Sequence, residues 1–246
     1  MKLKDSELEL IVFKFVEFLF PKAFIIVTIV IKRLHYMTTL SQILESKIVA
    51  IIRGANPNDV LKIANALREG GVRALEITMN SSKALSVIEE VAGKIGDEVM
   101  VGAGTVLDAQ TARAAISAGA KFIISPTLDI NTIRTARRYG AVSIPGAYTP
   151  TEVLKAYSHG GDIIKVFPAS NAGYIKDIRG PLPQIPLMPT GGVNLDNIQQ
   201  FYKAGAVAFG IASALVDTKQ EITDDYLQKL TEKANQFVRA VSTLNN

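Results

Sequence analysis

The 246-residue chain has no cysteine, which excludes disulfides, thiolate metal sites and cysteine nucleophiles. It has two histidines, His35 and His159, too few for a histidine-rich zinc centre and poorly placed for a Ser-His pair. No basic stripe with interleaved aromatics appears, and the net charge of +4 is spread along the chain, so nucleic acid is not an expected partner. A spanning helix needs about 20 consecutive, mostly apolar residues, and no run here reaches that length. Chemistry must therefore rest on lysine, carboxylates and hydroxyls. Lack of cysteine is compatible with the reducing cytoplasm, the expected location.

The first stretch differs from the rest. Residues 1–36 carry "IVFKFVEFLF" and "AFIIVTIVI", separated by Pro21 and Lys22, with Lys14 and Glu17 inside the first run. A secretory signal wants small residues after its apolar core, whereas Lys32-Arg33-Leu34-His35 follows here. The alternative is a membrane-surface anchor. Met37 then opens an amphipathic segment, "MTTLSQILESK". The expected organisation is an extension over residues 1–36, with natural translation starting at Met37, and one catalytic domain over 37–246.

From residue 47 one phrase recurs: a glycine, then a short apolar run. Gly71, Gly96, Gly119, Gly140 and Gly161 follow one another at steps of 25, 23, 21 and 21 residues. With "KIVAIIR" at 47–53, "IPLMPT" at 185–190 and the run after Gly205, the count is eight strand candidates. Helical periodicity fills the gaps, as in Val60, Ile63, Ala64 and Leu67, then Leu85, Ile88, Val91 and Ala92. Each glycine is expected at a helix C-terminus in a left-handed conformation. Eight strand–helix units in about 200 residues predict an α/β fold, a (β/α)8 TIM barrel with an N-terminal helix. A doubly wound sheet is the main alternative, but "IIRGANPND" lacks the nucleotide-type glycine loop that such a fold carries after its first strand.

One lysine breaks the apolar pattern. Lys165 sits in "DIIKVF", the sixth strand candidate. Burial disfavours an ammonium, so such a site must lower the amine's pKa, pair it or let it reach water. A neutral amine is a carbonyl nucleophile. The period of two puts Glu76, Thr78 and Asn80 on one face of the second strand while it remains extended, and Ile163, Lys165 and Phe167 on one face of the sixth. If both faces point inward, Lys165 and Glu76 share one apolar mouth, the amine forming an imine and the carboxylate relaying protons. The structural alternative is a snorkelling lysine or a plain salt bridge.

Other unusual residues gather at strand ends, where barrels of this kind keep their chemistry: Arg53, Thr105, Ser125, Pro126, Pro145 and Gly146. "PTGGVNLDN" puts Gly191 and Gly192 after the seventh strand, and "FGIAS" puts Gly210 and Ser213 after the eighth. Backbone N–H groups there can approach an anion closely, so a phosphorylated carbonyl compound is the expected ligand, although Gly-Gly is also a common turn.

"LEITMNS", "VGAGTV", "FIISP", "IPGAYTPTE", "IIKVFPA", "PTGGV" and "FGIASAL", in this order over about residues 38–240, resemble the family of 2-keto-3-deoxy-6-phosphogluconate and 4-hydroxy-2-oxoglutarate aldolases. The resemblance implies a class I aldolase that needs no cofactor and no metal, on a (β/α)8 barrel assembled as a homotrimer. It implies that Lys165 is the Schiff-base lysine and Glu76 the general acid/base. Thr105 would bind the pyruvate carboxylate, Phe167 and Pro126 would wall the pocket, and Thr190, Gly191, Gly192 and Ser213 would hold the phosphate. Implied partners are a phosphorylated 2-keto-3-deoxy sugar acid, pyruvate and glyceraldehyde 3-phosphate, with no membrane partner. In many phosphogluconate-type members an arginine stands where this chain has Asn80, and Arg53 offers a replacement. An arginine followed by glycine, with asparagine-serine after the second strand, resembles the 6-phosphogalactonate aldolases, whereas "PTGGV" and "AYTPTE" resemble the phosphogluconate and hydroxyoxoglutarate branch. The alternatives of another class are a non-catalytic sugar-phosphate-binding barrel and a different phosphate-binding barrel enzyme, an isomerase or synthase with no need of Lys165 opposite Glu76.

Overall fold

The computed structural model describes residues 39–169 and 171–242, and the expected extension over residues 1–36 lies outside them. A first helix, α1 (39–46), precedes β1 (Ile48–Ile52). There follow α2 (Pro57–Glu69), β2 (Ala74–Thr78), α3 (Ala84–Ile95), β3 (Met100–Gly104), α4 (Ala109–Ser117), β4 (Phe122–Ile124) and α5 (Ile130–Arg138). The second half runs β5 (Val142–Ile144), β6 (Gly146–Ala147), α6 (Pro150–Ser158), β7 (Ile164–Val166), α7 (Ala172–Arg179), β8 (Leu187–Pro189), α8 (Ile198–Lys203), β9 (Phe209–Ile211) and α9 (Asp224–Ser242).

All the strand pairs are parallel. One sheet runs β5-β4-β3-β2-β1-β9 and the other β6-β7-β8. Pro145, which has no N–H to give to a ladder, divides the fifth barrel strand into β5 and β6. The ring closes on the other side where Val207 N–H donates to Leu187 O at 3.0 Å and Thr190 bridges Gly210. The chain is thus an eight-strand (β/α)8 barrel, as the repeat predicts.

Strand alternation divides the core in two. Leu75 and Ile77 of β2, Val101 and Ala103 of β3, and Ile164 and Val166 of β7 pack with helix residues such as Val60, Ile88 and Ile175. The alternate positions, among them Val49, Ile51, Phe122, Ile124 and Val142, face the barrel axis and are also buried. The polar residues Glu76, Thr78, Lys165 and Thr190 belong to this inner set. Helix starts follow local chemistry: the Asp108 and Asp129 side chains accept from the N–H groups of Thr111 and Thr132, and Thr149 with Glu152 forms a capping box around Pro150.

Three expectations need correction. Gly71, Gly119, Gly140 and Gly205 are left-handed, but Gly96 and Gly161 are not. At Gly161 a Cβ would press on Ile164 and Pro145, so room is what the glycine provides, and Gly160, φ 99°, takes the left-handed position. Leu85 is 38% exposed, because the buried face of α3 runs through Ala84, Val87, Ile88, Val91 and Ile95. Asn80 does not share the inner face with Glu76, since β2 ends at Thr78 and the chain turns.

Candidate active site

Glu76 and Lys165 are brought into one site. Glu76 is fully buried and Lys165 is 2% exposed. Glu76 pairs in register with Ile51 and Gly102, while Lys165 pairs with Gly146 and Met188. Neither carboxylate oxygen of Glu76 has a hydrogen-bond partner. Burial pushes Glu76 above the usual carboxylate range, against the opposing pull of the Lys165 and Arg53 charges. Burial likewise pulls the Lys165 amine below the usual lysine range, opposed by Glu76 and assisted by Arg53. Both shifts run toward the neutral forms.

The small residues around the pair are part of its geometry. A Cβ on Gly104 would land on the Glu76 carboxylate. Gly102 makes the same kind of room for the Phe122 ring, and Gly210 for the Thr190 hydroxyl. These glycines are inner-face residues of strands, where a missing side chain lets a neighbour lean across the barrel.

The other predicted residues ring the mouth. Arg53 is exposed at the end of β1, and its charge enters the electrostatics of both Glu76 and Lys165. Thr105, directly after β3, holds φ at 56°, a left-handed conformation that a β-branched residue adopts only under local strain. Pro126 is half-buried after β4, with its backbone packed where Gly146 lacks a Cβ. The centroid of the Phe167 ring lies 5.1 Å from Lys165 Nζ, and the residue is 39% exposed.

Gly191 and Gly192 have φ of 83° and 87°. A Cβ on Gly191 would come within 3.3 Å of the Phe167 ring, so the glycine pair adjoins the wall of the lysine pocket. Ser213 is exposed beyond β9. Gly210 lies within β9 rather than after it, facing Thr190. Thr190 is 3% exposed and its hydroxyl has no partner, a buried polar group turned into the barrel. Ser81, the serine of the asparagine-serine pair, and Thr218, which the sequence leaves unnoticed, have hydroxyls that bind the backbone around Arg53. Two hydroxyl residues in loops carry no periodic signal that could have singled them out.

Among the described residues no group of three or more His, Asp or Glu side chains is placed to hold a metal ion, and no helix is long and apolar enough to cross a membrane. The arrangement offers a desolvated amine nucleophile, a buried proton carrier, a cation at the rim and a glycine-lined turn.

Known proteins resemble this chain in sequence and fold. The family model described as "KDPG and KHG aldolase", the abbreviations standing for 2-keto-3-deoxy-6-phosphogluconate and 2-keto-4-hydroxyglutarate, matches residues 40–232. The 2-dehydro-3-deoxy-6-phosphogalactonate aldolase of Escherichia coli K12 is 33% identical over 196 residues, 78% of this chain and 93% of that protein. The 2-dehydro-3-deoxy-phosphogluconate aldolase of Pseudomonas aeruginosa is 36% identical over 160 residues, 64% of this chain and 72% of that protein. The solved "Native KDPGal structure" superposes with a TM-score of 0.75 at 31% identity, covering 80% of this chain and 94% of the other. With the family model matching residues 40–232, most of the barrel, the chain belongs to the KDPG and KHG aldolase family.

Proposed function

We propose that the protein is a class I aldolase that cleaves 2-keto-3-deoxy-6-phosphogluconate into pyruvate and glyceraldehyde 3-phosphate, and also cleaves 4-hydroxy-2-oxoglutarate into pyruvate and glyoxylate. The observation that carries this reading is the buried pair, a desolvated Lys165 with Glu76 whose two oxygens are unpartnered. A structural ion pair would satisfy those oxygens, whereas a catalytic pair leaves them for substrate.

Lys165 Nζ attacks the C2 carbonyl of the keto acid, and loss of water gives an iminium. Arg53 and Thr105 hold the substrate carboxylate. Glu76, directly or through a water, takes the proton of the C4 hydroxyl. The C3–C4 bond then breaks, its electron pair moving into the iminium to leave an enamine, while the aldehyde departs toward Gly191, Gly192, Thr190 and Ser213. Glu76 returns a proton to C3, and hydrolysis of the new iminium releases pyruvate and the amine. Phe167 and Pro126 wall the pocket and limit water. The electron sink is the imine itself, so the scheme needs no cofactor.

Borohydride reduction in the presence of pyruvate tests the assignment: a three-carbon unit should attach at Lys165, and labelling at another residue would reject it. Binding of a sugar phosphate with no trapping would favour a non-catalytic barrel.

A second substrate reading, 2-keto-3-deoxy-6-phosphogalactonate, is favoured by one observation, the Arg53–Gly54 turn joined to the Asn80–Ser81 turn. Comparing kcat/KM for the gluconate, galactonate and hydroxyoxoglutarate compounds decides between them. The same reading makes residues 37–246 the catalytic unit, outside which residues 1–36 lie, and takes the protein to be a cytoplasmic homotrimer.

A further inference from the structure

Arg53 stands one residue beyond β1 with an exposed side chain, a place where loop mobility would ordinarily scatter a guanidinium. The peptide that joins it to Gly54 is held at both ends. The Arg53 carbonyl accepts from Thr218 Oγ1 at 2.6 Å, and the next amide, Gly54 N–H, donates to Ser81 Oγ at 2.9 Å. Ser81 is itself fixed to β2, through its own N–H to the Thr78 carbonyl at 3.0 Å and through its hydroxyl to Thr78 Oγ1 at 2.9 Å. Thr78 is fully buried, so that hydroxyl pair is anchored in the barrel wall. Thr218 belongs to the loop between β9 and α9, where the Tyr226 hydroxyl accepts the Asp217 N–H at 3.1 Å. Three loops after three adjoining strands, β2, β1 and β9, therefore meet at the one peptide that follows this arginine.

Gly54 supports the same account. It adopts φ 69°, yet a Cβ there would meet nothing within 4 Å. Glycine is present for backbone direction, not for space, and that direction turns the amide toward Ser81.

We propose that Ser81 and Thr218 are positioning residues whose hydroxyls fix the Arg53–Gly54 peptide from its two ends, so that the guanidinium of Arg53 is aimed at the carboxylate of the bound keto acid. The inference rests on the aldolase reading. It also accounts for Asn80: the loop after β2, from which an arginine at residue 80 would reach the substrate, here supplies the hydroxyl that holds the arginine of the neighbouring loop. Cation and support have been divided between two turns.

The test uses the full-length chain and the concentration dependence of borohydride trapping by pyruvate, which separates half-saturation from maximal rate. Ser81→Ala and Thr218→Val should each raise the half-saturating pyruvate concentration about three- to tenfold, the scale of one hydrogen bond, with the maximal rate within about twofold. Ser81→Thr, which keeps the hydroxyl, should restore most of the affinity. In an Arg53→Ala background, Ser81→Ala should cause no further rise, because the group that it positions is gone. Equal effects with and without Arg53 would overturn the proposal, as would a fall in maximal rate at unchanged half-saturation. Melting curves accompany each variant, and loss of the folding transition in both hydroxyl variants would assign these residues to stability and overturn it too. Trapping at Lys165 with additive effects sinks the positioning role alone; no trapping at Lys165 in the parent sinks the aldolase reading beneath it.

Discussion

Gly104 and Glu76 occupy one volume: the place where residue 104 would carry a Cβ is filled by the Glu76 carboxylate. The catalytic reading of the glutamate thus depends on an absent methyl group on the neighbouring strand. Gly104→Ala should displace the carboxylate and lower kcat by about 100-fold, the scale of a misplacement near 1 Å. Steady-state kinetics beside a circular-dichroism melt check it, and unchanged kcat in a folded variant would remove Glu76's fixed position from the mechanism.

Glu76→Gln should do more than slow proton transfer. The ionised glutamate raises the amine's pKa, so removing that charge should move the acidic limb of the Lys165 trapping profile to lower pH. Hydrogen exchange at the pyruvate methyl should fall by about 100-fold or more in the same variant, the range for general acid–base catalysis. A profile that moves to higher pH would contradict the pairing.

The same residue sets a stability window. Because burial raises the Glu76 pKa above its unfolded value of about 4.3, the folded state holds the proton more tightly. That contribution is full below about pH 4.3 and is lost as pH rises through the higher folded value. Glu76→Gln, which keeps a neutral side chain throughout, should therefore gain in Tm relative to the parent between pH 4 and pH 7. Thermal melts at the two pH values check the sign.

Arg53→Ala should raise the KM for the keto acid by about 10-fold or more, as expected for loss of a charge-assisted contact, and leave the affinity for inorganic phosphate unchanged. A loss confined to phosphate would refute the carboxylate role.

Gly191→Ala should produce the reverse separation. The substitution forces a Cβ onto φ 83° and within 3.3 Å of the Phe167 ring. Cleavage of a phosphorylated substrate should weaken by about 10-fold, while cleavage of unphosphorylated 4-hydroxy-2-oxoglutarate changes by less than about threefold, a split consistent with the cost of backbone strain at one turn.

Legibility in the sequence followed physical regularity. Lys165 and Glu76 stood out because a charge in an apolar run of period two has few explanations, and the barrel followed because glycine and strand recur at nearly constant steps. Helix faces were less certain: Leu85 fits a 3.6-residue pattern as well as Ala84 does, and only packing against β2 and β3 chooses between them. The contacts of Gly104, Ser81 and Thr218 were invisible for a different reason. Each acts on a residue from another unit of the repeat, 28, 27 and 165 positions away along the chain for the pairs Gly104–Glu76, Ser81–Gly54 and Thr218–Arg53. No local window contains both partners. Gly161 shows the same limit from the other side, a glycine predicted by position whose purpose is clearance from Ile164 and Pro145.

The bridge between Thr190 and Gly210 has one more consequence. Besides that bridge, a hydrogen bond from Val207, two residues before β9, to Leu187 of β8 crosses the last gap of the barrel, so that gap is narrowly stitched just below the turn that carries Gly191 and Gly192. An anion held between that turn and Ser213 would act as a rivet across the seam. Occupancy and closure of the wall would then be one cooperative event, and amide exchange along Leu187–Pro189 and Phe209–Ile211 should slow when phosphate binds.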